Sequence, residues 1–173
     1  VFRRTFTVDN NYLFTVKQTV ENTGTAPVSL FPYSRVARHG TPKTSHFFIL
    51  QEGPYGVLGA ENLVELTYED LSKQAQKDVE SSGGWLGFTH KYWSLILVPD
   101  QAKPATARYV YSRADNRDRF QADLTYHMEE VAPGGSSESQ VRFFAGAREP
   151  QVIDRYDEEG VHRFYLAVDY GWI

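Results

Sequence analysis

Five histidines, His39, His46, His90, His127 and His162, are the side chains here best suited to proton transfer or metal binding near neutral pH. None lies in a spacing such as H-E-x-x-H, which would set two ligands on one helix face. The nearest pairing is His127 with Glu129, two apart in a stretch that alternates like a strand, so both point to one face. Two neighbouring ligands do not make a metal site, and the pair reads as part of a solvated polar face. Asp154, Asp157, Glu158 and Glu159 gather around Arg155 at the end of an expected helix. Glycoside chemistry needs two carboxyls about 5–9.5 Å apart across a cleft, whereas a charge run along a helix ordinarily solvates it. The run Gly53-Pro54-Tyr55-Gly56-Val57-Leu58-Gly59 lacks the Gly-Lys-Ser/Thr ending of a phosphate loop and reads as tight turns. There is no G-x-S-x-G elbow and no cysteine. A thiolate nucleophile, a thiolate zinc site and a disulfide framework are therefore excluded. The residues predict no catalytic group, no metal and no cofactor.

Arg35, Arg38, His39 and Lys43 form the one local basic patch, on an expected strand before a Gly40-Thr41-Pro42 turn. In a chain with Lys+Arg 18 against Asp+Glu 22, net −4, they read as ordinary surface residues. Nucleic acid is not an expected partner, because phosphate neutralisation needs a surplus of basic side chains. The aromatic load is the stronger signal, with 3 Trp, 11 Tyr and 11 Phe. Trp85, Phe88, Tyr92 and Trp93 crowd one apolar segment, where core packing is the default and a sugar-stacking cleft the alternative. Phe164, Tyr165, Tyr170 and Trp172 crowd the carboxyl end. Membrane-interface placement and core packing remain equally open there, since Tyr and Trp favour the bilayer–water boundary.

The elements that must position these residues are mostly strands. Period-2 alternation recurs through the chain with β-branched and aromatic residues. Phe6 and Val8, the Asp9-Asn10-Asn11 turn, and Phe14, Val16 and Val20 predict a hairpin. Further strands are expected at Val28–Phe31, His46–Leu50, Leu63–Tyr68, one or two within Trp85–Val98, then Arg108–Ser112, Phe120–Met128 and Val141–Ala145. Glu69 to Glu80 is polar and reads as a short surface helix or an extended loop. Glu149-Pro150 fits a helix start, with Val152, Ile153 and Tyr156 on one face. The whole, residues 1–173, is expected to be one all-β domain, an antiparallel sandwich with a helical carboxyl end. Its opening inside a strand-like stretch and its apolar close suggest a piece of a longer chain.

Gly83-Gly84-Trp85-Leu86-Gly87-Phe88-Thr89-His90-Lys91-Tyr92-Trp93, with Leu97-Val98-Pro99, resembles the periplasmic domain of the YidC membrane protein insertase family. The opening Phe6…Tyr12…Val16…Val20…Asn22-Thr23-Gly24 and Tyr68-Glu69-Asp70-Leu71 agree in order with alphaproteobacterial members. Phe143-Phe144-Ala145-Gly146-Ala147-Arg148-Glu149, leading to Val168-Asp169-Tyr170-Gly171-Trp172, resembles the join to that family's second transmembrane helix. His90 stands where many members carry Asp, and the family's additional amino-terminal strands have no match here.

The resemblance implies an antiparallel β-supersandwich akin to galactose mutarotases, amino-terminally truncated. Residues 149–173 would form a helical and aromatic segment leading toward a transmembrane helix. It implies a non-enzymatic periplasmic scaffold of an inner-membrane insertase, without cofactor. The Sec translocon, SecDF, nascent membrane-protein clients and the membrane surface at the carboxyl end would be its partners. The functional, membrane-proximal residues would be Phe164, Leu166, Asp169, Tyr170, Gly171 and Trp172. Gly84, Trp85, Gly87, Tyr92 and Trp93 would be structural. A carbohydrate-binding or carbohydrate-active sandwich, built on Trp85, Tyr92, Trp93 and scattered carboxylates, is the alternative.

Overall fold

A computed structural model describes residues 1–44, 50–59 and 62–168. The chain opens as a hairpin of β1 (Phe2–Val8) and β2 (Leu13–Glu21). Asp9 organises its turn, its carboxylate accepting from the amides of Asn11 at 2.8 Å and Leu13 at 3.0 Å. Then follow β3 (Val28–Leu30), β4 (Tyr33–His39), β5 (Gly53–Val57) and β6 (Leu63–Glu65). Helix α1 (Tyr68–Gln74) starts on a capping box, in which Thr67 and Asp70 each satisfy the other's backbone amide. Strands β7 (Gln76–Ser82), β8 (Trp85–Thr89), β9 (Trp93–Pro99) and β10 (Pro104–Ala114) come next. They are followed by β11 (Arg117–Tyr126), β12 (Glu129–Val131) and β13 (Ser136–Ala147). The described chain closes with α2 (Pro150–Glu158) and a 3-10 turn at Phe164–Ala167.

All pairings are antiparallel. A seven-stranded sheet runs β1-β2-β13-β9-β8-β5-β6, a four-stranded sheet runs β4-β11-β10-β7, and β12 pairs with β3. The two larger sheets face each other over a core that includes Leu86, Phe88, Leu97, Tyr109, Phe120 and Leu124. A second core lies on the opposite face of the seven-stranded sheet, beneath α2 and the 3-10 turn. The alternation of each strand explains the division. Trp85, Ile96, Val98 and Phe144 point outward to the helical layer, while Leu86, Leu97 and Val141 point inward. The expected antiparallel β architecture with a helical carboxyl end is the one observed.

Several local expectations change. Gly53–Val57, expected as turns, is a wholly buried strand of the large sheet. Gly56 is required there because a Cβ would lie 2.5 Å from both the Trp85 carbonyl and the Tyr109 hydroxyl. The polar stretch after Tyr68 contains a helix and then β7, whose outward Gln76, Asp78 and Glu80 mask Val79 and Ser81 on the inner face. The expected separator Ala114 to Arg119 shrinks to Asp115 and Asn116, both at positive φ in a tight two-residue turn. His127 and Glu129 do not share a strand: His127 is exposed in the linker before β12, and Glu129 accepts from the Ser137 hydroxyl. The strand expected at His46–Leu50 lies outside the described residues, Leu50 excepted.

Candidate functional site

Of the residues singled out by sequence, Trp85 and Phe164 meet on the outer face of the seven-stranded sheet, and Tyr92 and Trp93 stand at one end of it. Trp85 is fully buried at the middle of that face. Tyr55 meets it edge-on at 4.9 Å and Phe164 at 5.7 Å, and Phe144 and Tyr156 complete an aromatic cluster around Phe164. The Trp85 indole N–H donates to the Arg163 carbonyl at 3.4 Å. Arg163 itself is left-handed, φ 53°, and this turns the chain back over the sheet. Phe164 and Ala167 are fully buried in this layer, and Leu166 and Val168 are half-buried against it. Of the two placements left open for the terminal aromatics, Phe164 takes core packing, while Tyr165 is exposed. Asp169, Tyr170, Gly171 and Trp172 lie outside the described residues.

Two polar anchors fix this layer, and neither has a motif that would have revealed it. Gln101 bonds Gly84 on both its amide and its carbonyl, at 2.9 and 3.0 Å. Its side-chain oxygen also accepts from the His162 amide at 3.0 Å, tying the chain after α2 to the β7–β8 turn. The Tyr156 hydroxyl donates to the Asp9 carboxylate across 147 positions of sequence. Partial burial alone would raise the Asp9 carboxyl, but that bond and the two turn amides outweigh it and hold it below the ordinary carboxylate range. At the far side, the Tyr55 hydroxyl sits 2.8 Å from Ser94 Oγ and 3.3 Å from the Ala167 carbonyl, and burial pushes it up to about 12.

The family-motif glycines have steric reasons. A Cβ on Gly84, where φ is +77°, would lie 2.0 Å from the Val57 carbonyl oxygen. A Cβ on Gly87 would lie 2.0 Å from the Leu95 carbonyl and 2.7 Å from the Ile96 Cα. Tyr92 and Trp93 depart from the expected core packing. They stand 64% and 61% exposed at the β8–β9 turn, so Trp85, Tyr92 and Trp93 line no common cleft. The strand alternation that buries Trp85 runs out at the turn, after Thr89.

The charged groups serve other purposes. On the outer face of the four-stranded sheet, Asp123 is fully buried under Arg108, which binds both its oxygens at 2.9 and 2.8 Å. Tyr33 and Gln121 add bonds at 3.1 and 2.6 Å. Its bonds to Asp123 and that carboxylate's charge hold the Arg108 guanidinium above its ordinary range, so it stays charged at any working pH. The expected basic patch is split by β4's alternation: Arg35 and His39 lie on the outer face, while Arg38 lies on the inner face with its Nε buried. A groove of about 480 Å³ opens beside β1, β3 and β4, lined by Phe2, Arg4, Val20, Phe31, Tyr33 and Glu129. Glu129 faces no second carboxylate among its lining residues. Among the described residues no three His, Asp or Glu side chains converge as metal ligands. No helix of the described residues is long and apolar enough to cross a membrane.

The YidC periplasmic domain family matches residues 1–173. A membrane protein insertase YidC of Beijerinckia indica is 42% identical over 99% of this chain and 29% of its own length. Another, from Rhizobium etli, is 44% identical over the same shares. The chain thus spans under a third of the curated relatives it matches. Among solved structures, a galactose mutarotase related enzyme from Lactobacillus acidophilus superposes with TM-score 0.55 at 13% identity, covering 83% of this chain and 60% of its own. That likeness is one of fold.

Proposed function

Because this chain belongs to the YidC periplasmic domain family, we propose that it is a non-enzymatic interaction domain of an inner-membrane insertase. Its work is positional, assisting insertion and folding of membrane proteins alongside the Sec translocon and SecDF. The observation that carries this reading is the anchoring of the terminal segment. Phe164 and Ala167 are sunk into the outer core, with Leu166 and Val168 packed against it, so the chain is tied to the sheet as far as Val168. In this reading Asp169, Tyr170, Gly171 and Trp172 form the approach to the bilayer, with Leu166 holding the last turn against the sheet.

Partners and clients are met on the open side of the sandwich. β1 is exposed along its whole length and hydrogen-bonds a neighbouring strand on one side among the described residues. Phe2, Phe6 and Val8 share its inward pleat, an arrangement suited to strand addition by an extended segment. The test is a chimera in which this chain replaces the matching segment of the Beijerinckia indica relative. Replacing Asp169–Trp172 with Gly and Ser should lower client insertion several-fold while the domain's thermal melting is unchanged. Undiminished insertion would remove the reading.

A further inference from the structure

The β8–β9 turn carries two large exposed aromatics on a backbone pinned by hydrogen bonds. The His90 amide donates to the Trp93 carbonyl at 2.7 Å, and the Arg148 amide to the Tyr92 carbonyl at 3.0 Å. Arg148 Nη2 then binds the carbonyls of His90 at 2.9 Å and Lys91 at 2.8 Å. Every backbone oxygen from His90 to Trp93 is therefore occupied from inside the protein. These bonds fix the backbone of the turn from which Tyr92 and Trp93 stand exposed. The Lys91 ammonium lies 5.1 Å from the Tyr92 ring centroid, which keeps a cation at the tip beside the aromatics.

The same end of the sheet gathers the other relevant groups. By register, Trp93 pairs with Ala147, and β1 and β2 meet there at the turn carrying Tyr12. Tyr12 is 53% exposed at φ 68° and packs over Gly146, where a Cβ would lie 3.0 Å from its own. The 3-10 turn returns to this end, because the Ala167 carbonyl reaches the Tyr55 hydroxyl, itself bonded to Ser94 one residue beyond Trp93. Of the acidic groups here, Asp9 is engaged by Tyr156, Glu52 is buried 3.7 Å from His90, and Glu149 is exposed. Tyr and Trp with a neighbouring Lys are the side chains that settle at a bilayer–water boundary, the ring in the headgroup layer and the cation toward phosphate.

We infer that the Lys91-Tyr92-Trp93 tip, with Tyr12 over Gly146 at the same end but on the outer face, is a second contact with an anionic phospholipid surface, so that this end of the sheet faces the membrane. The inference rests on the reading of the terminal segment as a membrane approach. The tip adds a point of contact at the end of the sheet to which the 3-10 turn returns, and two separated points fix a tilt that one cannot.

The probe is the intact chain with vesicles of phosphatidylethanolamine and phosphatidylglycerol, measured by co-sedimentation and by quenching of tryptophan fluorescence with brominated acyl chains. Tyr92→Ser with Trp93→Ser should reduce partitioning about tenfold with melting unchanged, since both side chains are exposed. Lys91→Glu should reduce it at least fivefold on anionic vesicles, as one cation near such a surface is worth about that factor, and leave neutral vesicles unaffected. Wild-type partitioning by the double variant, or no binding by the unaltered chain, overturns the inference. A chain ending at Val168 separates the two claims. If it binds like the intact chain while the double variant does not, the tip stands and the terminal reading falls; the opposite pattern removes the tip alone. If the double variant binds vesicles normally yet lowers insertion in the chimera, the tip serves a protein partner and the lipid assignment is wrong.

Discussion

The Trp85 indole and the Phe164 ring meet edge-to-face, with centroids 5.7 Å apart and planes at 89°. One lies in the middle of the sheet and the other in the last described turn, so the contact couples sheet and terminal segment. Phe164→Ala should cost about 3–5 kcal/mol, the range for emptying a buried aromatic site. Chemical denaturation checks it. A loss under 1 kcal/mol would mean that the segment is not held by this ring. Removal of the whole stretch from Phe164 therefore tests stability before function, and functional substitutions belong after Val168.

The Tyr156–Asp9 bond predicts a pH dependence. Asp9's carboxyl is depressed below its ordinary 3.8, so its contribution is fully present above that value and disappears as pH falls through the lower folded value. Asp9 is exposed, and solvent screening keeps the contribution modest. Tyr156→Phe should lower stability by about 1 kcal/mol at pH 7 and bring the Asp9 titration up toward 3.8. Carbon-detected NMR of the Asp9 carboxyl measures the second effect. An unmoved titration would contradict the assignment.

Asp123 and Arg108 form a pair in which one partner is fully buried. Arg108→Ala leaves that buried carboxylate without its charge partner, held only by Tyr33 and Gln121, and should destabilise by about 3 kcal/mol. Arg108→Ala combined with Asp123→Ala should lose less than the sum of the two single changes. Denaturant midpoints of the four proteins in the cycle check this, and strict additivity would show that the pair does not act as one unit.

Gly87 pairs with Ile96 where β8 runs against β9. With the Leu95 carbonyl 2.0 Å from where a Cβ would stand, Gly87→Ala must push the strands apart. The expected loss is about 3 kcal/mol, at the upper end for overpacking. It should appear with faster amide exchange at Ile96, whereas unchanged exchange would mean the strands accommodate the methyl group.

The alternation that made the hairpin of Phe6 and Val8 with Phe14, Val16 and Val20 legible is a local property, and it was readable because each strand repeats it. The Gly53–Val57 strand was hidden because glycine and proline signal turns locally, while the demand for glycine at position 56 comes from Trp85 and Tyr109 far along the chain. The β7 strand was hidden for a similar reason, its polar outward face resembling a surface helix. At the candidate site, Trp85 was legible as core and Tyr92 and Trp93 were not distinguishable from it. What separates them is the point where β8 ends, four residues after Trp85. Gln101 and the Asp9–Tyr156 bond join positions with no shared motif, so no spacing could announce them.

Orientation at the membrane is the most direct test of the central claim. In the chimera reconstituted into lipid bilayers, nitroxide labels are placed at Tyr92 and at Ala102, the latter in the turn at the opposite end of the sheet. A strand of seven residues separates the two turns by roughly 23 Å. Power saturation should show the label at position 92 in the interfacial layer, shielded from aqueous nickel relaxant, and the label at position 102 freely accessible. Equal aqueous accessibility at both positions would contradict a domain held with its hairpin end against the bilayer.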